Sequence, residues 1–231
     1  MKEFRFALKQ TVPIFFTYLF LGVAIGVLMS DAGFGAGFSA AAAVFIFAGS
    51  LQLVMVPLMA SGASLLTIAL TSLFINARHI FYGIGFIEKF RRMGARYPYM
   101  IFSLTDETYS ILSSVRYPEG LDEDRCAFFI AMLNQSYWIL GCTLGACAGS
   151  YLQFDMRGFE FSAVALFLVV VTDQWRQYKT KLPFLVAAAC AVGFFLLLGK
   201  EYFLVPTLLA SLAALLVLRG PIEKKEGLAY E

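Results

Sequence analysis

The feature that most constrains this chain is a run of 46 residues, 32–77, without one charged side chain. A helix rises about 1.5 Å per residue and a bilayer core is about 30 Å thick, so about 20 apolar residues suffice for one crossing. The run therefore predicts two consecutive membrane spans. In the whole chain 60% of side chains are hydrophobic and only 15% are charged, which excludes an ordinary soluble protein.

Similar runs elsewhere predict an all-α integral membrane protein, a bundle of about seven to eight transmembrane helices. The expected spans cover residues 10–30, 38–60, 65–86, 98–115, 126–154, 159–175, 183–199 and 203–219. We assign residues 1–219 to a single transmembrane domain and residues 220–231 to a charged cytoplasmic tail.

The distribution of lysine and arginine predicts that both termini are cytoplasmic, because basic residues are enriched on that side. With eight crossings, the basic cluster at residues 89–96 would lie on the outer side, against this rule. The cluster moves inside if 38–60 and 98–115 are both re-entrant. Both topologies keep the termini inside, and both stay open at this point.

Small residues interrupt two of the expected spans. Residues 48–52, AGSLQ, lie in the middle of span 38–60 and predict a broken helix whose freed backbone groups line a cavity. The alternative is a packing surface in which Gln52 bonds to a neighbouring helix. Gly22 with Gly26, and the series Gly141, Gly145, Gly149, have the G-x-x-x-G spacing of helices that pack closely on another helix or subunit. Segments 44–52 and 128–135, and 71–79 and 169–176, are weakly similar, which leaves an internal duplication open.

Two opposite charges are expected at one depth in the membrane. Arg78 lies about 20 Å along its helix from residue 65 and about 15 Å from Glu88, where charge returns. Asp106 is nine residues after Tyr97 and nine residues before Val115. Counted around a hairpin centred on Arg92, Arg78 and Asp106 are each fourteen residues from the turn. Intramembrane charges mark substrate or ion pathways, so we predict that this pair belongs to a transport site.

The neighbouring polar residues have two interpretations each. Arg78 binds substrate or forms a permanent structural salt bridge with Asp106 or Glu107. His79 carries a coupling proton or bonds within the membrane helices. Asn76 and Asn134 orient substrate or join helices. On a helix Asn76 and His79 share a face that Arg78 does not, so we expect one of Arg78 and His79 to be structural.

Several functional classes are excluded or disfavoured by the pattern. A single histidine, no H-E-x-x-H and no G-x-S-x-G argue against a hydrolase, and we expect no metal and no cofactor. The four cysteines contain no C-x-x-C pair. Basic residues at span ends give no nucleic-acid surface. A passive channel remains the alternative, although a balanced charge pair does not favour single-sign ion selectivity.

Three segments together resemble the AzlC family of branched-chain amino acid permeases: AGSLQ (48–52), NARHIFYG (76–83) and TDET (105–108). The resemblance covers nearly the whole chain. It implies a multi-pass protein of the bacterial cytoplasmic membrane that exports leucine, isoleucine, valine and their analogues. It also implies a small second membrane subunit of the AzlD type.

The chemistry of such a substrate suggests a role for each polar side chain. A zwitterion needs a cation for its carboxylate, an anion for its ammonium group and an apolar pocket for its side chain. We therefore predict that Arg78 binds the carboxylate and Asp106 the ammonium group. Gln52, Asn76 and Asn134 are predicted to orient the substrate. Three titratable side chains are candidates for proton coupling: Asp106, His79 and Glu107.

Overall fold

The computed structural model describes residues 2–151, 168, 171–172, 175–176, 179–220 and 222. In this part of the chain every regular element is helical. The helices are α1 (Lys2–Asp31), α2 (Ala36–Phe45), α3 (Gly49–Ala60), α4 (Leu65–Arg91), α5 (Tyr97–Phe102), α6 (Asp106–Ser114), α7 (Glu123–Tyr151), α8 (Leu182–Tyr202) and α9 (Leu204–Val217). A short 3-10 helix, Gly94–Arg96, precedes α5.

The predicted all-α membrane architecture is confirmed. Among the described residues, α1, α7 and the Leu182–Gly199 part of α8 are each long and apolar enough to cross a membrane. Helix α4 is bent by 60° between Leu65–Ile80 and Tyr82–Arg91, and it makes a fourth span if the two parts are counted as one. Each expected span coincides with a helix or a pair of short helices, except 159–175, which lies almost wholly outside the described residues.

The chain forms two compact units. The first comprises Met1–Ala63 with Ile75–Met156, and the second comprises Ser64–Phe74 with Arg157–Glu231. In the second unit α8 packs against α9, and the Phe195 and Phe203 rings meet at 5.4 Å. Gly199 interrupts α8 with a φ of +72°, a conformation that glycine adopts without steric cost. All the predicted site residues belong to the first unit.

The first unit is built on a close contact between α1 and α7. A Cβ added to Gly26 would lie 2.1 Å from the Cys142 carbonyl oxygen, and one added to Gly145 would lie 2.1 Å from the Val23 carbonyl oxygen. The two predicted glycine motifs therefore pack against each other, backbone on backbone. Small residues drive helix association in membranes because they allow this approach and the dispersion contacts that come with it.

Both expected spans with polar centres are broken. Between α2 and α3, Phe47 has a φ of +41° and Ala48 is extended. The expected broken helix in 38–60 is thus observed. Residues 98–115 also differ from one continuous span, because Ser103–Thr105 separates α5 from α6. Asp106 does not lie in the middle of a helix: it is the first residue of α6, and Thr105 caps that helix by accepting the Thr108 N–H at 3.3 Å.

The segments that suggested an internal duplication adopt different local structures. Residues 44–52 contain the break between α2 and α3, whereas 128–135 lie within the continuous helix α7. Part of the second pair, 169–176, lies outside the described residues. A long helix followed by a broken one nevertheless occurs twice, as α1 with α2–α3 and as α4 with α5–α6.

Gly26→Ala should destabilise the protein, because its Cβ would also lie 2.6 Å from the Ala146 nitrogen and would force α1 and α7 apart. Overpacking of this kind costs about 1–3 kcal/mol. The measurement is the apparent melting temperature of the purified protein in detergent. Gly193→Ala in α8 is the matched control, since a Cβ there meets no atom within 4 Å. Equal melting temperatures for the two variants would contradict the backbone contact.

Candidate functional site

Arg78 of α4 joins the N-terminal ends of two half-helices. Its Nη2 lies 2.8 Å from Oδ2 of Asp106, at the start of α6, and it also donates to the Ser50 hydroxyl in the first turn of α3. The predicted meeting of Arg78 and Asp106 is therefore observed. Their side chains are 35% and 39% exposed within the protein.

A second set of bonds connects α6, α7 and α3. Asn134 of α7 donates its Nδ2 to the Thr108 hydroxyl at 3.1 Å. One helical turn later, the Trp138 indole N–H donates to Oε1 of Gln52 at 2.7 Å. Gln52 lies on α3 two residues after Ser50, so the contacts close into a loop through α3, α4, α6 and α7. We call this the polar ring: Ser50, Gln52, Arg78, Asp106, Thr108, Asn134 and Trp138.

Four atoms of the polar ring are buried and have no hydrogen-bond partner in the described protein. Two are donors, Nε of Arg78 and Nε2 of Gln52, and two are acceptors, Oδ1 of Asp106 and Oδ1 of Asn134. Buried polar atoms are nearly always paired, and an unpaired one costs about 1–3 kcal/mol. Each of these four atoms belongs to a different helix. The ring thus contains two donors and two acceptors whose hydrogen bonds are unmade among the described residues.

The start of α3 adds positive character to the donor side of the ring. No acidic residue lies in its first turn, and its N-cap residue Ala48 provides no side-chain bond. The N–H groups at a helix start carry roughly half a positive charge. At the start of α6, by contrast, the carboxylates of Asp106 and Glu107 offset the positive charge of the helix start. The two helix starts therefore differ in charge.

Glu107 forms no ion pair with Arg78, which corrects the interpretation that pairs it with that cation. It accepts instead from the Tyr18 hydroxyl of α1 at 2.7 Å. The same hydroxyl lies 2.7 Å from Oγ1 of Thr105. Glu107 is therefore a second carboxylate beside the ring, hydrogen-bonded by a phenol.

Asn76 and His79 are not part of the polar ring. No hydrogen bond in the described residues joins Asn76 to it, and Oδ1 of Asn76 is buried without a partner. The His79 ring lies 5.9 Å from the Tyr82 ring, which stacks on Tyr109 of α6 at 4.5 Å. His79 and Tyr82 are three residues apart, which makes them neighbours on the surface of α4, next to its bend.

The comparisons with known proteins identify the family of the chain. Residues 13–152, which contain the whole polar ring, match the family model described as AzlC protein. The chain belongs to the AzlC family. It is 37% identical over 96% of its length, and 88% of the relative's, to the branched-chain amino acid transport protein AzlC of Bacillus subtilis. An uncharacterized membrane protein of Helicobacter pylori is 34% identical over 96% of this chain and 98% of its own.

A more distant relative is the inner membrane protein YgaZ of Escherichia coli, 27% identical over 81% of this chain and 80% of its own. No solved structure matches the chain. The family resemblance predicted from the three segments is thereby confirmed. The substrate and the roles of individual residues are separate questions.

Aromatic rings of this AzlC-family chain line the breaks beside the polar ring. The Tyr18 ring lies 5.2 Å from Trp138 and 6.3 Å from Phe47. Phe47 in turn lies 6.4 Å from Phe102, at the end of α5. Gly49 is required here, because a Cβ would lie 2.9 Å from the indole of Trp138. The two breaks thus share one apolar wall.

Gln135 holds both breaks and was not predicted as a site residue. Its Nε2 donates to the carbonyl of Val44, which the end of α2 leaves without a helical partner, at 3.0 Å. Its Oε1 accepts from the Tyr99 hydroxyl of α5 at 2.8 Å. Of the other unpredicted residues, Trp138 lies one turn after Asn134, a spacing that could have revealed it. Nothing in the apolar sequence around Tyr18 distinguishes that residue.

Gln135→Met should loosen the breaks, because it leaves the Val44 carbonyl and the Tyr99 hydroxyl unpaired at a cost of about 1–3 kcal/mol each. We expect faster amide hydrogen exchange at residues 46–48 and 103–105, measured by mass spectrometry. Ser136→Ala is the control, since that exposed hydroxyl bonds only to the Met132 carbonyl of its own helix. Unchanged exchange in Gln135→Met would show that other contacts hold the breaks.

Proposed function

We propose that the chain is a secondary transporter that exports branched-chain amino acids across the bacterial cytoplasmic membrane, coupled to protons. The observation that carries this proposal is the polar ring with its two unpaired donors and two unpaired acceptors. A zwitterionic amino acid supplies the complement, a carboxylate for the donors and an ammonium group for the acceptors. The name of the Bacillus subtilis relative supports this substrate class.

The carboxylate of the substrate binds on the side of Arg78. A guanidinium binds a carboxylate through two parallel N–H bonds, and Nε of Arg78 has no partner among the described residues. Gln52 supplies a second donor from α3, whose positive helix start favours the same charge. Anion binding at the start of a broken helix is a recurring device of membrane transporters.

The ammonium group binds between Asp106 and Asn134. Each has one unpaired buried oxygen, and the other atoms of both side chains are held by Arg78 and Thr108. Both side chains are therefore oriented before the substrate arrives, which reduces the entropy lost on binding. The aliphatic side chain of the substrate then packs on the aromatic wall of Tyr18, Phe47 and Trp138.

Glu107 is the candidate for the coupling proton. Asp106 is neutralised by Arg78, so its protonation would break an ion pair. Glu107 has a phenol as its partner and can take up a proton without breaking one. Asn76 and His79, both predicted from sequence, have no bond to the ring, and we assign them no direct part in binding.

Transport as such is tested by counterflow of labelled leucine in vesicles that contain the purified protein. A transporter exchanges external label against internal leucine, whereas a passive channel only lets the label equilibrate. Isoleucine, valine and an unbranched zwitterion such as glycine, used as competitors, define the substrate. Accumulation without exchange, or inhibition by glycine alone, would contradict branched-chain amino acid transport.

Arg78→Ala should abolish leucine efflux, because the substrate loses its cation and Asp106 is left unpaired. Arg78→Lys should retain less than about a tenth of the activity if two-bond recognition matters, since lysine offers a point charge. Efflux from preloaded cells is the measurement, normalised to protein in the membrane. Arg125→Ala is the matched control, because Arg125 forms an exposed pair with Asp122 at 3.2 Å, outside the ring. Normal efflux in Arg78→Ala would remove the site assignment.

Glu107→Gln should make leucine efflux independent of pH, because the side chain can no longer gain or lose a proton. Asp106→Asn should instead reduce efflux at every pH, since it removes the charge that binds the ammonium group. Efflux rates measured between about pH 5 and about pH 8 distinguish the two outcomes. A pH dependence that survives in Glu107→Gln would assign the proton to another group.

The family resemblance also suggests a small AzlD-type membrane subunit, and we include it in the proposal. Efflux from cells that express this chain with and without such a subunit tests the requirement. Fusion reporters at residues 1 and 231 test the cytoplasmic position of both termini.

A further inference from the structure

A chain of hydrogen-bonded hydroxyls runs from Glu107 to the polar ring. The Tyr18 hydroxyl lies 2.7 Å from Glu107 and 2.7 Å from Oγ1 of Thr105. Oγ1 of Thr105 lies 3.1 Å from Oγ1 of Thr108, which accepts from Nδ2 of Asn134 at 3.1 Å. We call this series, Glu107, Tyr18, Thr105, Thr108 and Asn134, the hydroxyl relay.

The interior of the relay is shielded from solvent. Thr108 and Asn134 are fully buried, and Tyr18 and Thr105 are 3% and 6% exposed. Water therefore does not compete for these bonds, and each hydroxyl has to donate to a neighbour in the relay. The direction in which one hydroxyl donates fixes the direction of the next.

The charged and titratable groups around Glu107 are few. From α1 it faces the Tyr18 phenol, and on its own helix it is adjacent to Asp106, whose charge Arg78 of α4 balances. From α7 the relay meets the uncharged amide of Asn134. A proton on Glu107 is therefore the one change that reverses the relay without breaking an ion pair.

With Glu107 ionised, every bond of the relay runs toward its carboxylate. Tyr18 donates to Glu107, Thr105 donates to Tyr18, and Thr108 donates to Thr105. The Thr108 oxygen then accepts from Nδ2 of Asn134, so Oδ1 of Asn134 is left unpaired. This is the arrangement that offers an acceptor to an ammonium group.

With one proton added to Glu107, its carboxyl O–H donates to the Tyr18 oxygen. The hydroxyls of Tyr18, Thr105 and Thr108 then rotate so that each donates to the next group in the opposite direction. No O–H bond breaks in this step, because each hydrogen only turns about its C–O bond. Thr108 now donates to Asn134, which must turn its amide over and present Nδ2 to the site, where it repels an ammonium group.

We propose that the hydroxyl relay couples protonation of Glu107 to release of the substrate's ammonium group by reversing the amide of Asn134. This inference rests on the proposed function and adds its coupling route, with Tyr18, Thr105 and Thr108 as positioning residues. The protein then binds either the proton or the substrate but not both at once, as an exporter driven by proton entry requires.

The first test is the affinity of the full-length protein in nanodiscs for leucine, at about pH 8 and about pH 5. We expect the wild-type dissociation constant to rise about ten-fold on acidification, since a hydrogen bond to a charged group is lost. Thr108→Val and Tyr18→Phe, which interrupt two separate links, should show less than about a two-fold change. Thr108→Ser restores the hydroxyl and should restore the pH dependence.

The control is Thr143→Val, because among the described residues the Thr143 hydroxyl on α7 bonds only to the Ile139 carbonyl of its own helix. It should show the pH dependence of the wild type. If leucine binds but Thr108→Val keeps that dependence, or if the wild type shows none, the relay is wrong and the transport assignment stands. If the wild type binds no leucine at all, the proposed function itself fails.

The second test needs no substrate. Infrared difference spectra between the two pH values should contain a side-chain amide band that shifts to lower frequency, as Oδ1 of Asn134 begins to accept a hydrogen bond. The band is assigned by its absence in Asn134→Leu, and its shift should vanish in Thr108→Val and return in Thr108→Ser. A shift that persists in Thr108→Val would overturn the relay whatever the protein transports.

Discussion

The ion pair between Arg78 and Asp106 is the interaction on which the arrangement of the site depends. Charges inside a membrane are costly unless they are paired, and an unpaired partner is costlier than no charge at all. The pair therefore fixes α4 against the start of α6, and the Ser50 hydroxyl brings the start of α3 to the same guanidinium. A ligand that separates the two charges has to satisfy both, and a zwitterion is the simplest molecule that can.

The ion pair is supported by a contact that carries no charge. Because glycines allow the backbones of α1 and α7 to touch, the side chains one turn away extend past that contact to the broken helices. Tyr18, four residues before Gly22, reaches α6, and Trp138, three residues before Gly141, reaches α3. The rings of Tyr18 and Trp138 meet at 5.2 Å. Close helix packing and polar contact are thus two results of one geometry.

The sequence predicted the parts of this structure that depend on regular spacing. Apolar runs located the helices, and G-x-x-x-G spacing identified the surfaces of α1 and α7. Counting around a hairpin brought Arg78 and Asp106 together, as observed. The count assumed a continuous helix over 98–115, whereas Asp106 begins α6 after a break. Residue counting estimates how deep a residue lies in the membrane. The three-residue break at Ser103–Thr105 did not change the estimate enough to separate Arg78 from Asp106.

What the sequence did not predict depends on three-dimensional contacts between distant segments. Helical periodicity alone does not determine the partner of Glu107. The packing of α1 against α6 selects Tyr18 over Arg78. Gln135 has no distinguishing pattern, yet it binds the Val44 carbonyl that a break exposes. At breaks in the helices, residue spacing along the sequence is not sufficient to predict which side chains meet.

The electrostatics of the site connect its architecture to the proposed coupling between substrate and proton. The two helix starts, at α3 and α6, together contribute about one positive charge, and Arg78 adds another. Asp106 and Glu107, when ionised, balance that total, so a zwitterion enters a nearly neutral site. A proton on Glu107 leaves about one net positive charge, which disfavours the ammonium group while Arg78 still attracts the carboxylate. In the proposed mechanism the ammonium end is therefore the end that a proton releases, and the proposed relay, which terminates at Asn134, acts on that same end.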